Sequence, residues 1–131
     1  MPYPSFRSAC PVASSLDLFG DKWTLLVIRG LLTGRRRFGA LLAMEEGIAT
    51  NVLAERLERL ERYGIVSRVP YQENPRRHEY GLTRRGADLL PVLQAIAVWG
   101  LAHIPGRDPP PPGYLSAPPE AFYPGGEADR P

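Results

Sequence analysis

At 131 residues, 44% of them hydrophobic, the chain is long enough for one modest core and hence one folded domain. One cysteine excludes an intrachain disulfide, and two widely separated histidines exclude a recognisable zinc cluster, so no metal or other cofactor is expected. No glycine-rich phosphate loop, paired catalytic carboxylates or nucleophile motif points to an enzyme. The formal charge of +2 conceals a division: residues 1–103 hold fourteen Lys and Arg against ten Asp and Glu, whereas residues 104–131 hold two against four. All but one of the sixteen cations are arginine, which suits planar, bidentate contact with phosphates.

The N-terminal residues lack the apolar stretch of a secretory signal, and no membrane span is predicted, so a cytoplasmic protein is expected. Leu16, Leu18 and Phe19 predict a short first helix, broken at Gly20-Asp21. A second helix over Lys22 to Leu32 is apolar on most sides and marks the centre of the core. Gly34-Arg35-Arg36-Arg37 reads as a basic turn, and Phe38 to Met44 as a small third helix before the Glu45-Glu46-Gly47 loop. A fourth helix is predicted from Asn51 to Tyr63, with Thr50 as its N-cap and Gly64 in the left-handed position that ends it. Leu53, Leu57 and Leu60 share its inner face; Asn51, Glu55, Glu58 and Arg62 lie opposite, with Val52 and Arg59 at the edge.

Two strands follow, Ile65 to Tyr71 and His78 to Leu82, around a Gln72 to Arg77 tip that holds Pro75 and so reads as a loop. Thr83 is expected to cap a last helix starting near Arg84, with one apolar stripe of Ala87, Leu90, Leu93, Ile96, Ala97 and Leu101. The order predicts a mostly α fold with a small β-hairpin wing, an α+β winged helix-turn-helix over residues 1–104. Residues 105–131 carry nine of the fifteen prolines and are expected to form an extended tail without a core of its own. Tyr114, Leu115, Phe122 and Tyr123 leave open its docking on the domain or on a partner subunit.

A winged helix-turn-helix with this charge pattern is expected to bind double-stranded DNA through the fourth helix. Asn51 would read adenine and Arg59 or Arg62 guanine, with Thr50, Glu55 and Arg56 in reach. Arg56 stays open between DNA contact and a carboxylate within the domain. Arg76 and Arg77, with His78 behind them on the wing, would meet the minor groove or its phosphates, and Arg35, Arg36 and Arg37 would clamp the backbone. The last helix carries more apolar surface than one small core covers, so Val98, Trp99 and Leu101, with Leu16 and Phe19, are expected to form a homodimer seam. Cys10, with a helix N-terminus and Arg7 nearby, is either an oxidisable thiol or an inert one within that seam. A protein-interaction module without specific DNA readout is the alternative function, and no effector small molecule is named by the residues.

A series of short motifs runs in order through the chain: Cys10-Pro11-Val12, Leu16-Asp17, Gly20-Asp21-Lys22-Trp23-Thr24-Leu25-Leu26, Arg37-Phe38, Gly47-Ile48, Leu53, Arg56-Leu57, Leu60, Gly64-Ile65-Val66, Arg68, Tyr71, Tyr80, Leu82-Thr83, and Gly86 to Trp99. In this series the chain resembles the HxlR-type winged-helix transcriptional regulators, a branch related to the MarR-like proteins. The resemblance implies a homodimeric, sequence-specific DNA-binding protein, usually a repressor, whose subunits join through their terminal helices. It also implies that the Cys10 position serves some relatives as a thiol sensor. Met44-Glu45-Glu46, in place of the commoner proline-containing approach to the fourth helix, departs from the pattern, as does the proline-rich tail.

Overall fold

The computed structural model describes residues 3–125. Its helices are α1 (Pro11–Phe19), α2 (Thr24–Leu32), α3 (Phe38–Leu42), α4 (Thr50–Arg62), α5 (Arg84–Ala87) and α6 (Leu90–His103). Strands β1 (Val66–Glu73) and β2 (Arg76–Leu82) form the wing between α4 and α5, and a short 3-10 turn spans Pro119–Phe122. This is the mixed helical architecture with a two-stranded antiparallel hairpin expected of a winged helix-turn-helix.

The core forms where α2 meets α3, α4 and α6. Val27 and Ile28 of α2, Leu41 of α3, Leu53 and Leu60 of α4 and Leu90 of α6 are fully buried, each burial being worth roughly 1.5–3 kcal/mol relative to exposure. Asp21 fixes the start of α2: its carboxylate accepts hydrogen bonds from the Trp23 and Thr24 amides and from the Thr24 hydroxyl. A carboxylate at a helix N-terminus satisfies unpaired amides and complements the dipole.

The fourth helix starts one residue before the expected position. Thr50 is its first residue and Ala49 its cap, with no side-chain cap bond, so the Thr50 hydroxyl has no capping role. At its other end Gly64, at φ +72°, accepts the left-handed turn. The Ile65 amide then donates to Leu60 and the Gly64 amide to Glu61, at 2.9 and 3.1 Å, the paired closure that satisfies the last helical carbonyls. The third helix is shorter than expected and leaves Met44 as a buried loop residue.

The strands are longer than the sequence pattern implied. Glu73 pairs with Arg76 and Gln72 with Arg77, leaving only Asn74-Pro75 in the turn, with a register shift between Pro70 and Gln72. Pro75 is harmless there because a turn residue needs no ladder amide. A bridge from Arg37 to Glu79, and a bond from the Tyr80 amide to the Arg36 carbonyl at 2.6 Å, join the segment before α3 to β2.

Thr83 caps α5 as expected, its hydroxyl accepting from the Gly86 amide at 3.1 Å. The predicted single last helix is broken at Asp88-Leu89. Pro91, in the first turn of α6, has no amide hydrogen and would clash with a helical carbonyl four residues earlier, so the helix restarts instead of continuing. Taken together, α5 and α6 make an apolar stretch, Arg84–His103, that by length and composition alone would suffice to cross a membrane. The break and the packing of Leu90 and Leu93 into the core place its first half inside this fold.

The described part of the tail lies against the domain, the docking that its aromatic residues had left open. Tyr114, Ala117 and Phe122 pack on the core, and the Gln94 amide donates to the carbonyls of Tyr114 and Ala117, both at 2.8 Å. The Tyr123 hydroxyl donates to Asp88 at 2.6 Å, and the Arg84 guanidinium sits 4.9 Å from the Tyr123 ring centre.

Candidate nucleic-acid interface

Burial of Leu53, Leu57 and Leu60 turns the opposite side of α4 outward, so Thr50, Asn51, Ala54, Glu58 and Arg62 are exposed. Thr50 and Asn51 stand at the N-terminal end. Arg62 is eleven residues on, about 16 Å along the axis.

Arg56 turns inward. Its Nε donates to Asp21 at 2.9 Å and its Nη1 to Glu55, so in this structure it pairs with carboxylates within the domain. Arg59 is also engaged, donating to Glu55 at 3.1 and 3.0 Å and lying 4.0 Å from Asp21. Partial burial alone would raise the Asp21 pKa, but hydrogen bonds from Thr24, Arg56 and the Trp23 amide bring it down to about 2. Glu55 is lowered against the same opposing burial by its bonds from Arg56 and Arg59. The two arginines and two carboxylates form one network tying the start of α2 to the middle of α4. Asp21 was missed as a member of this site; its spacing to Thr24 carries the signature of a cap, and nothing local shows that α4 packs across it.

Of the three basic-turn arginines only Arg37 reaches the wing groove. Arg35 is half-buried and donates to the Ala40 carbonyl at 2.6 Å, while Arg36 lies over Gly81 on the other side of the hairpin, towards the tail. A joint backbone clamp by all three is therefore corrected: one packs locally and one faces away, because successive residues in extended chain point to opposite sides. Arg37 stacks over the Tyr71 ring at 3.9 Å and lies 3.5 Å from Glu79.

Arg37, Arg76, Arg77 and His78 line one groove of about 580 Å³ between the start of α3 and the wing. Arg76 holds Glu73 at 3.1 Å; Arg77 has no ion-pair partner among the described residues. A second groove, about 540 Å³, separates α4 from the wing and carries Glu58, Glu61, Arg62 and Arg68. Its charges pair loosely, Arg62 with Glu58 and Arg68 with Glu61, each at 3.7 Å. Tyr71 lines the first groove and Arg68 the second; both stand in the motif series but were given no role there, because a strand's two faces are distinguished only once the hairpin is docked.

The second candidate surface is apolar. Val12 and Leu16 of α1, and Ile96, Val98 and Trp99 of α6, are more than half exposed. Leu16 and Phe19 share a shallow hollow with Val12 and Val92. Leu101, expected with them, lines a trough with Ile96, Leu26 and Tyr114. Cys10 is exposed at the start of α1, and Arg7 is committed to Asp17 at 2.6 Å rather than to the thiol.

The profile of the HxlR-like helix-turn-helix family matches residues 18–108. The chain belongs to this family. An HTH-type transcriptional regulator of Mycobacterium tuberculosis is 42% identical over 100 residues, covering 76% of this chain but only 63% of that protein. A regulator of the same kind from Synechocystis is 46% identical over 95 residues, covering 71% of this chain and 70% of the other. Among solved structures, the reduced form of the transcriptional regulator YodB from Bacillus subtilis is similar at a TM-score of 0.62 and 33% identity, over 77% of this chain and 100% of that one. The segment after residue 108, with most of its prolines, lies outside the family match.

Proposed function

We propose that this HxlR-like chain is a DNA-binding transcription regulator that acts as a homodimer on a pseudo-palindromic operator, most simply as a repressor. The carrying observation is a pair of adjoining grooves that share Phe38 and Tyr80: one between α4 and the wing with Arg62 and Arg68, the other where Arg37 joins Arg76 and Arg77. The names of the relatives, HTH-type transcriptional regulators, support the same reading. In it, α4 enters the major groove, where Asn51 can offer both amide groups to an adenine edge, and the wing arginines meet phosphates or the minor groove. Arg56 acts from behind, holding α4 against α2, while Arg59 keeps Glu55 in place.

The apolar surface of α1 and α6 is the proposed seam with a second copy. Two-fold pairing would present two α4 helices to half-sites about one helical turn, 10 bp, apart. Such a protein performs regulation by binding, without catalysis.

The test is binding to operator fragments recovered from genomic DNA, measured by fluorescence anisotropy over a range of salt. If about six phosphates are neutralised, log K falls with log[salt] at a slope near −5. Arg77→Ala should flatten that slope by about one unit and weaken all sequences alike, whereas Asn51→Ala should chiefly relax base preference. Binding that is indifferent to salt and sequence would defeat the reading.

A further inference from the structure

Between α2, α6 and the tail runs a trough of about 390 Å³, walled by Leu26, Leu93, Ala97, Leu101, Pro111 and the Tyr114 ring. This is the size of small-molecule sites, which hold about 300–1,000 Å³, and too small for a helix. Its outer wall includes Pro110, Pro111 and Tyr114, tail residues beyond the family match.

Two further observations concern what occupies it. Gly100 lies in the interior of α6, where glycine is the poorest helix former after proline. A Cβ there would meet nothing within 4 Å, so no packing in the chain requires the missing side chain; the space opens into the trough. The half-buried Tyr114 phenol makes no hydrogen bond among the described residues, and burial pushes it towards its neutral, donating form, with Arg29 opposing. A phenol of this kind normally finds an acceptor.

The charges at the mouth cancel. Arg29 is held by both oxygens of Glu46, at 2.9 and 2.8 Å, and Arg107 stands beside Asp108. We infer that the trough is a binding site for an uncharged, flat apolar small molecule carrying one hydrogen-bond acceptor, seated over Gly100 with its acceptor towards Tyr114. This goes beyond the DNA-binding reading and stands without it.

Nile red, a neutral aromatic dye with a carbonyl acceptor that brightens on leaving water, is the probe. Titrated with the full chain, it should bind saturably at one site per subunit. Gly100→Leu fills the trough from a position where a Cβ meets nothing within 4 Å, and should weaken binding at least about tenfold. Tyr114→Phe removes only the phenol donor and should weaken it about fivefold, with the circular dichroism spectrum unchanged. Three results would overturn the inference: no saturable binding; wild-type affinity in Gly100→Leu, which would put the dye on the exposed Val98 and Trp99 surface; or loss of a dimer in light scattering of Gly100→Leu, which would make a second copy the occupant.

Discussion

Asp21 carries more of this molecule than any neighbouring residue suggests, because one carboxylate both starts α2 and holds Arg56 of α4. Its pKa is depressed from 3.8 to about 2, so its stabilisation is fully present above pH 4–5 and is lost as pH falls towards 2. Allowing for solvent screening, the contribution is about 1–2 kcal/mol. Asp21→Asn keeps a capping oxygen but removes the charge. It should lower stability at pH 7 by about that amount and flatten the acid limb of urea midpoints measured from pH 5 to pH 2. An unchanged limb would show that the network is not coupled to folding. Arg56 illustrates why residue type alone left its role open: on a helical projection it lies between core and surface, and only the position of Asp21, thirty-five residues earlier, selects the inward rotamer.

At the scale of elements, the hairpin and α5 meet with almost no tolerance. A Cβ at Gly86 would lie 2.2 Å from the Ile65 carbonyl oxygen, so Gly86→Ala must separate the first turn of α5 from the start of β1. The expected outcome is a loss of about 2–4 kcal/mol in denaturant unfolding, well beyond an ordinary helical glycine-to-alanine change, which would stabilise. The leucine spacing of α4, its closing glycine and the Thr83 cap were legible in the sequence because each depends on interactions within a few residues. Element ends were less legible. The strands run closer to the turn than the composition of Gln72 to Arg77 suggested, since arginine and glutamate pair acceptably across exposed strands. The break before α6 follows from Pro91, a local signal that the continuous apolar stripe obscured.

For the whole molecule, the exposed apolar face and the docked tail give separate expectations. If α1 and α6 form the seam, Trp99→Asp together with Val98→Asp should yield monomers in light scattering and weaken operator binding at least about a hundredfold, since each half-site then binds alone. Dimers persisting in that variant would place the seam elsewhere. The tail covers part of the core through Tyr114, Ala117 and Phe122. Truncation after Ile104 should therefore lower the melting temperature by about 5 °C or more, for a loss of roughly 2 kcal/mol in a domain this size. A melting temperature unmoved by truncation would show that these contacts add nothing to stability.

Helical periodicity, turn residues and the arginine-rich balance were enough to determine the fold class, the helix that presents its polar side and the arginines on the wing. They act over one or two turns, and the hydrophobic face they create has one orientation. Tertiary packing alone decided which arginines remain available, that Arg35, Arg36 and Arg37 part company, and that the proline-rich tail, whose docking was left open, walls a trough beside Gly100. Those outcomes depend on contacts between segments far apart in the chain. Such contacts are set by the space left between packed helices and by the nearest opposite charge, neither of which any local stretch of sequence records.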